Sequence, residues 1–178
     1  MKKKVIFSGF GGQGVLTLGQ IVSLTEMNKG LNTTWFPSYG AEMRGGTANC
    51  SVIYSDSPIG SPIVKNEIDI LVAMNEPSLR KFENNVKKGG LIIIENSLKK
   101  DIKTSREDVD VHYINAGEIA SELGNLKVIN VIMLGAYGKL TGDFTKDEAF
   151  STLKEKLHGK ENLLALNEEA INRGYNVV

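Results

Sequence analysis

Cysteine is almost absent from the sequence, with Cys50 alone among 178 residues. A single thiol excludes an intramolecular disulfide and cannot by itself ligate an iron–sulfur cluster or a cysteine-rich metal site. Only two histidines occur, His112 and His158. They are far apart in sequence, a pattern that fits structural or surface roles better than a ligand pair. Charge of either sign is not in excess, because 21 lysines and arginines balance 21 aspartates and glutamates. The basic surplus that marks nucleic-acid binding is therefore missing. No apolar run approaches the roughly 18 residues of a membrane span. Met1-Lys2-Lys3-Lys4 resembles the charged start of a signal peptide, but the apolar run behind it stops at Gly9, so a cytoplasmic protein without a membrane partner is expected. Catalytic signatures are lacking too. There is no G-x-S-x-G elbow, no Gly-Lys-Ser/Thr phosphate loop and no paired carboxylate on a core strand, so an autonomous active site is not expected.

What is present is glycine, 19 residues of it, of which seven fall in two unusual segments. The first is Gly9-Phe10-Gly11-Gly12-Gln13-Gly14, placed after the apolar run Val5-Ile6-Phe7 and before Val15-Leu16-Thr17-Leu18. A strand feeding a glycine turn that opens a helix leaves the first helical N–H groups unpaired and ready for an anion. The same turn is also an ordinary tight connection between strand and helix. The second segment runs from Phe36 to Cys50 and contains Ser38, Tyr39, Arg44, Gly45, Gly46, Thr47 and Asn49. The Arg44 guanidinium suits a phosphate or carboxylate clamp, or a salt bridge with Glu42 or with a carboxylate of another chain. Two such segments close in sequence suggest one shared site. Cys50 reads as a small buried hydrophobe.

Along the chain, strands are predicted at 5–8, 33–36, 47–54, 68–74, 91–94 and 111–114. Helices are predicted at about 13–28, 76–86, 116–123, 130–140, 147–157 and 161–173, the last two ended by Gly159 and Gly174. Asn75 and Asn115 are candidate N-caps. Gly135 and Gly138 lie in a helix that is apolar nearly all round, where they let another backbone come close. Only about ten residues separate the second and third strands, too few for a crossover helix, so that pair is expected to be antiparallel. Residues 59–66 and 99–110 read as loops, the latter solvated. The alternation predicts a single α/β domain over residues 1–178: a three-layer α/β/α sandwich on a mixed, mostly parallel sheet, with a Rossmann-like glycine turn after the first strand. A dinucleotide site would place an acid about 20 residues beyond the turn. Thr34, Trp35, Phe36, Pro37 and Ser38 stand there instead, which counts against a stand-alone oxidoreductase holding NAD or flavin.

Three stretches together, Gly9 to Val15, Trp35-Phe36-Pro37-Ser38-Tyr39-Gly40-Ala41-Glu42-Met43-Arg44-Gly45-Gly46-Thr47 on to Val52, and Pro58-Ile59-Gly60-Ser61-Pro62, closely resemble the gamma subunit of 2-oxoacid:ferredoxin oxidoreductases. The long middle motif is more similar to 2-oxoglutarate enzymes than to pyruvate ones; gamma subunits of the pyruvate and branched-chain enzymes are the alternatives. The resemblance implies a multisubunit enzyme that decarboxylates a 2-oxoacid oxidatively with coenzyme A. Its products are an acyl-CoA (succinyl-CoA from 2-oxoglutarate), CO2 and reduced ferredoxin. It also implies that thiamine diphosphate and the iron–sulfur clusters sit in sister alpha, beta and delta subunits. This chain would then be structural, its glycine turn either holding CoA or packing against a neighbouring subunit, with no catalytic residue and no metal. The expected binding residues are Gly9, Gly11, Gly12, Gln13, Gly14, Ser38, Tyr39, Arg44, Gly45, Gly46, Thr47 and Asn49, with the segment from Ser38 to Asn49 facing the thiamine site.

Overall fold

The computed structural model describes residues 1–39 and 47–178, with Tyr39 described by its backbone alone. Six strands form one sheet: β1 (Lys2–Phe10), β2 (Asn32–Tyr39), β3 (Thr47–Ser55), β4 (Ile68–Ala73), β5 (Val86–Glu95) and β6 (Asp110–Ile114). Their spatial order is β2-β3-β1-β4-β5-β6. The strands β1, β4, β5 and β6 run parallel, while β3 is antiparallel to both β1 and β2. The expected antiparallel hairpin and mixed sheet are both present.

Alternation along the strands builds two cores. On one face Val5, Phe7, Val52, Tyr54, Ile70, Val72 and Ile93 join one apolar cluster; on the other Ile6, Ile53, Leu71, Ile92 and Ile94 join a second. A side chain buried fully in either contributes roughly 1.5–3 kcal/mol. The first face carries α1 (Val15–Asn28), α3 (Ala116–Glu122), α4 (Ile129–Thr141), α5 (Lys146–Lys156) and α6 (Leu164–Asn176). The second carries one short helix, α2 (Glu76–Phe82), whose Leu79 is fully buried.

Loops complete that thinner layer, and the segment at 99–110, exposed at most of its positions as expected, turns a few side chains inward. Ile102 is buried in the second cluster, and Arg106 Nη1 donates to the carbonyls of Glu83 (2.7 Å) and Val86 (2.9 Å). The Glu83 carboxylate accepts from the Thr104 hydroxyl (2.6 Å) and the Ser105 N–H (3.0 Å). Arg106 is thus tied to the chain, and Ile102 covers the sheet with Val109 packed partly buried against the same cluster. Val64 does the same from the 59–66 loop.

Smaller differences have local causes. β2 continues through Pro37, because it is an edge strand paired only with β3, and an edge tolerates a missing N–H. α2 stops at Phe82, and a 3-10 turn delivers Val86 to β5. The Asn75 side chain caps α2 by accepting from Ser78 N at 2.9 Å, whereas Asn115 caps nothing with its side chain. Gly174 does not end α6; it lies inside it, where a Cβ would collide with the carbonyl of Ile132 on α4. Gly135 faces the α6 backbone at Ile171 in the same crossing, the close approach expected of it.

Candidate functional site

In an open α/β sheet, ligands bind beyond the carboxyl ends of the strands, where successive connections leave on opposite faces. Here α1 follows β1 on one face and α2 follows β4 on the other. The crevice between the ends of β1 and β4 is therefore the switch point, and the glycine turn occupies it.

The turn is rigidly held. Gln13 Oε1 accepts from Phe10 N (2.7 Å) and from Asn75 Nδ2 (2.9 Å), while Gln13 Nε2 donates to the Met74 carbonyl (3.1 Å). The carboxamide expected to face a ligand is instead engaged with the ends of β1 and β4. A Cβ on Gly9 would press on both Gln13 Oε1 and Met74 Cβ, so glycine there permits this arrangement. Gly12 (φ 97°) and Gly14 (φ 71°) hold left-handed conformations, and Gly14 is the N-cap of α1. The N–H groups of Gly11, Gly12 and Gly14 have no partner among the described residues. With the helix dipole behind them, donors so placed suit an anion.

On one side of the turn lie the other sequence-predicted residues. Thr47 pairs with Phe10, and Asn49 lies between Ser8 and Ser38 in a cross-strand row. That row belongs to the α2 face, where Ser8 Oγ is buried without a hydrogen-bond partner among the described residues. Arg44, Gly45, Gly46 and the Tyr39 side chain lie outside the described residues.

On the other side is a cleft of about 260 Å³, lined by Gly12, Gln13, Gly14, Glu95, Leu98, Leu126, Lys127 and Ile129. None of Ser38, Thr47 or Asn49 lines it. Ser38, Thr47 and Asn49 thus lie at the same end of the sheet as the turn without lining this cleft. Glu95, Leu98, Leu126 and Lys127 escaped the sequence reading. The available signal was an acid directly ending the apolar run Leu91–Ile94, at the carboxyl end of a central strand.

The topology also bears on the dinucleotide alternative. β3 separates β1 from β2, so the end of β2 lies two strand spacings, about 10 Å, from the turn instead of one. Together with the missing acid, this counts against a ribose contact of the Rossmann kind. Cys50 is fully buried, and burial pushes its thiol up to about 12, so it offers no thiolate to a metal. His112 is half-buried and His158 is exposed. Among the described residues no group of acidic, histidine or cysteine side chains could hold a metal ion, and no helix is long and apolar enough to cross a membrane.

Comparison with known proteins gives consistent results. The family model for pyruvate ferredoxin/flavodoxin oxidoreductase matches residues 4–177. The 2-oxoglutarate synthase subunit KorC of Methanocaldococcus jannaschii is 34% identical over 185 residues, covering 99% of this chain and 94% of that protein. The ketoisovalerate oxidoreductase subunit VorA of Methanothermobacter marburgensis is 34% identical over 172 residues, covering 96% of this chain but 35% of that protein. The chain thus spans about a third of the length of the VorA relatives it matches. Among solved structures, the gamma subunit of a keto/oxoacid ferredoxin oxidoreductase from Geobacter sulfurreducens superposes with a TM-score of 0.82 at 27% identity, covering 97% of this chain and 96% of that one.

Proposed function

The chain belongs to the pyruvate ferredoxin/flavodoxin oxidoreductase family, and on that footing we propose that it is the gamma subunit of a multisubunit 2-oxoacid:ferredoxin oxidoreductase, one that holds coenzyme A and contributes no reacting group. The observation carrying this reading is the turn itself. Three backbone N–H groups at a helix N-terminus have no partner among the described residues, on a frame braced by Gln13 and Asn75. Such a surface binds and orients a diphosphate.

In the assembly, coenzyme A supplies the thiol that accepts the acyl group. Gly11, Gly12 and Gly14 would hold its phosphates, and Ser38 to Asn49 would complete the face toward the thiamine-bearing subunit. Thiamine diphosphate and the iron–sulfur clusters belong to sister alpha, beta and delta subunits, and ferredoxin takes the electrons there. A single buried cysteine fits that division. The middle motif favours 2-oxoglutarate as substrate, with succinyl-CoA as product. Relatives named for ketoisovalerate, at 34% and 36%, are at least as identical as those named for 2-oxoglutarate, at 34% or less, so the substrate reading rests on the motif alone.

The test is co-purification from the native cell followed by assay of chain and complex. Turnover of a 2-oxoacid by the complex and none by the chain alone is expected. Turnover by the isolated chain, or a tightly held nicotinamide or flavin, would overturn the reading.

A further inference from the structure

At the end of the sheet opposite the glycine turn, a polar network is shut beneath the face that carries five helices. Thr33, Tyr54 and Lys3 form a cross-strand row over β2, β3 and β1, and Tyr54 belongs to the apolar cluster of that face. The Tyr54 hydroxyl donates to Asp143 Oδ2 (2.5 Å), on the connection between α4 and α5, and lies 2.8 Å from the Tyr137 hydroxyl of α4. Lys3 Nζ donates to Oδ1 of the same carboxylate. Glu26, in the last turn of α1, is 1% exposed, and its Oε1 has no partner among the described residues. Lys29 Nζ stands between the two acids: it donates to the Asp143 carbonyl and lies 3.7 Å from Glu26 Oε2.

Lys29 is thus shared between an acceptor it bonds and one it only approaches. The charge on Glu26 decides between them, because at low dielectric an ammonium gains far more from a carboxylate than from a neutral carbonyl. A protonated Glu26 tolerates its present surroundings. An ionised one is a buried charge short of donors, and the Lys29 ammonium is close enough to supply one. Burial raises this carboxyl from 4.5 to about 7, with Lys29 and Lys3 opposing the rise and Asp143 adding to it, so both forms are populated near neutrality.

We propose that the network is a proton-operated latch: while Glu26 holds its proton, Lys29 ties the end of α1 to the α4–α5 connection at the Asp143 carbonyl, and when Glu26 releases that proton to water the Lys29 ammonium moves onto its carboxylate and frees the carbonyl. The Asp143 side chain stays where Lys3 and Tyr54 hold it, so the movement is confined to one ammonium. Burial pushes the Tyr54 and Tyr137 hydroxyls upward, and both keep their protons throughout. The other acids nearby are already engaged. Glu148, which Lys29 also attracts, forms the cap of α5 with Thr145, and Asp69, which is felt at Tyr137, accepts from Lys4 N and pairs with Lys87. The latch joins the far ends of the two helices that meet at the turn, since Gly14 caps α1 and Asn130 of α4 donates to the Gly14 carbonyl.

The experiment follows the full chain by NMR from pH 4.5 to 8.5. Three probes are read: the Glu26 carboxyl carbon, Lys29 Nζ, and the Phe144 amide nitrogen, whose shift reports whether the carbonyl before it is hydrogen-bonded. All three should titrate with one midpoint near 7. Glu26→Gln, which keeps the side chain's shape, should abolish the transition at Lys29 and Phe144 and hold both at their low-pH positions. Lys29→Met should flatten Phe144 while Glu26 still titrates, its midpoint moved up because a cation that lowers it is gone. An unchanged amide spectrum elsewhere shows that each variant is folded. A Glu26 midpoint at an ordinary value of about 4.3 overturns the latch. So does a Phe144 amide that stays still while Glu26 titrates in the wild type, or one that still titrates in Lys29→Met.

Discussion

Asn130, at the start of α4, donates from Nδ2 to the carbonyl of Gly14 at 3.3 Å and fills the space where a Cβ at position 14 would lie, 2.6 Å from that nitrogen. Gly14 is thus fixed twice, by its left-handed φ and by a side chain from 116 residues away. Gly14→Ala should cost about 1–3 kcal/mol in chemical denaturation. Adding Asn130→Ala should recover the steric part and leave the φ strain. A double mutant no more stable than Gly14→Ala would show that Asn130 does not crowd the turn.

Stability should fall as pH rises from about 4.5 to 7 and level off above, because of Glu26. This buried carboxyl, with Oε1 unpartnered among the described residues, is raised from 4.5 to about 7, chiefly by burial; Lys29 and Lys3 oppose the rise and Asp143 adds to it. A pKa higher in the folded state means that the folded chain holds a proton the unfolded chain has lost between about 4.5 and 7. The stability contributed is complete below the unfolded value and disappears as pH climbs through the folded one. At about 1.4 kcal/mol per pH unit the effect is on the order of 1–3 kcal/mol. Denaturant midpoints from pH 4.5 to 8.5 measure it, and Glu26→Gln should flatten the profile. A wild-type profile that rises over this window would contradict the assignment.

At the crossing of α4 and α6, Gly174→Ala places a methyl against the Ile132 carbonyl, where no rotamer change can make room. A loss of about 1–3 kcal/mol is expected. Gly159→Ala is the comparison, since its surroundings are open and only its φ of 81° is strained. If thermal melts show the two variants equally affected, the helices do not pack as closely as described.

Cys50 should resist labelling. It is fully buried and its thiol is pushed up to about 12 by burial, so a thiol reagent at neutral pH should find it only when the chain unfolds. Mass spectrometry after brief alkylation should show no adduct in native buffer and complete modification in denaturant. Rapid native labelling would place the side chain at the surface.

The parts of the fold legible in the sequence are those whose signal is local. The run Ile68 to Met74 gives a central strand, Asn75 followed by Pro77 starts a helix, and the short span between the second and third strands forces a hairpin. What escaped depends on distant partners. Ile102 stands in a charged stretch and becomes core only because α2 leaves that face of the sheet thinly covered. Gly174 reads as a helix stop until α4 is set against it. Of the site, the turn was legible because its glycines are contiguous. Glu95 and Lys127 lie about 80 and 115 residues further on and reach the turn only through parallel crossovers.

The central claim is that the backbone of the glycine turn holds coenzyme A within an assembly whose reacting groups lie in other subunits. Calorimetric titration of the reconstituted complex with coenzyme A, wild type against Gly12→Val, tests it directly, with thermal melts confirming that the variant is folded and assembled. The account predicts affinity lowered at least about tenfold, the loss of one or two charge-assisted hydrogen bonds. Unchanged affinity in a folded, assembled variant would contradict it.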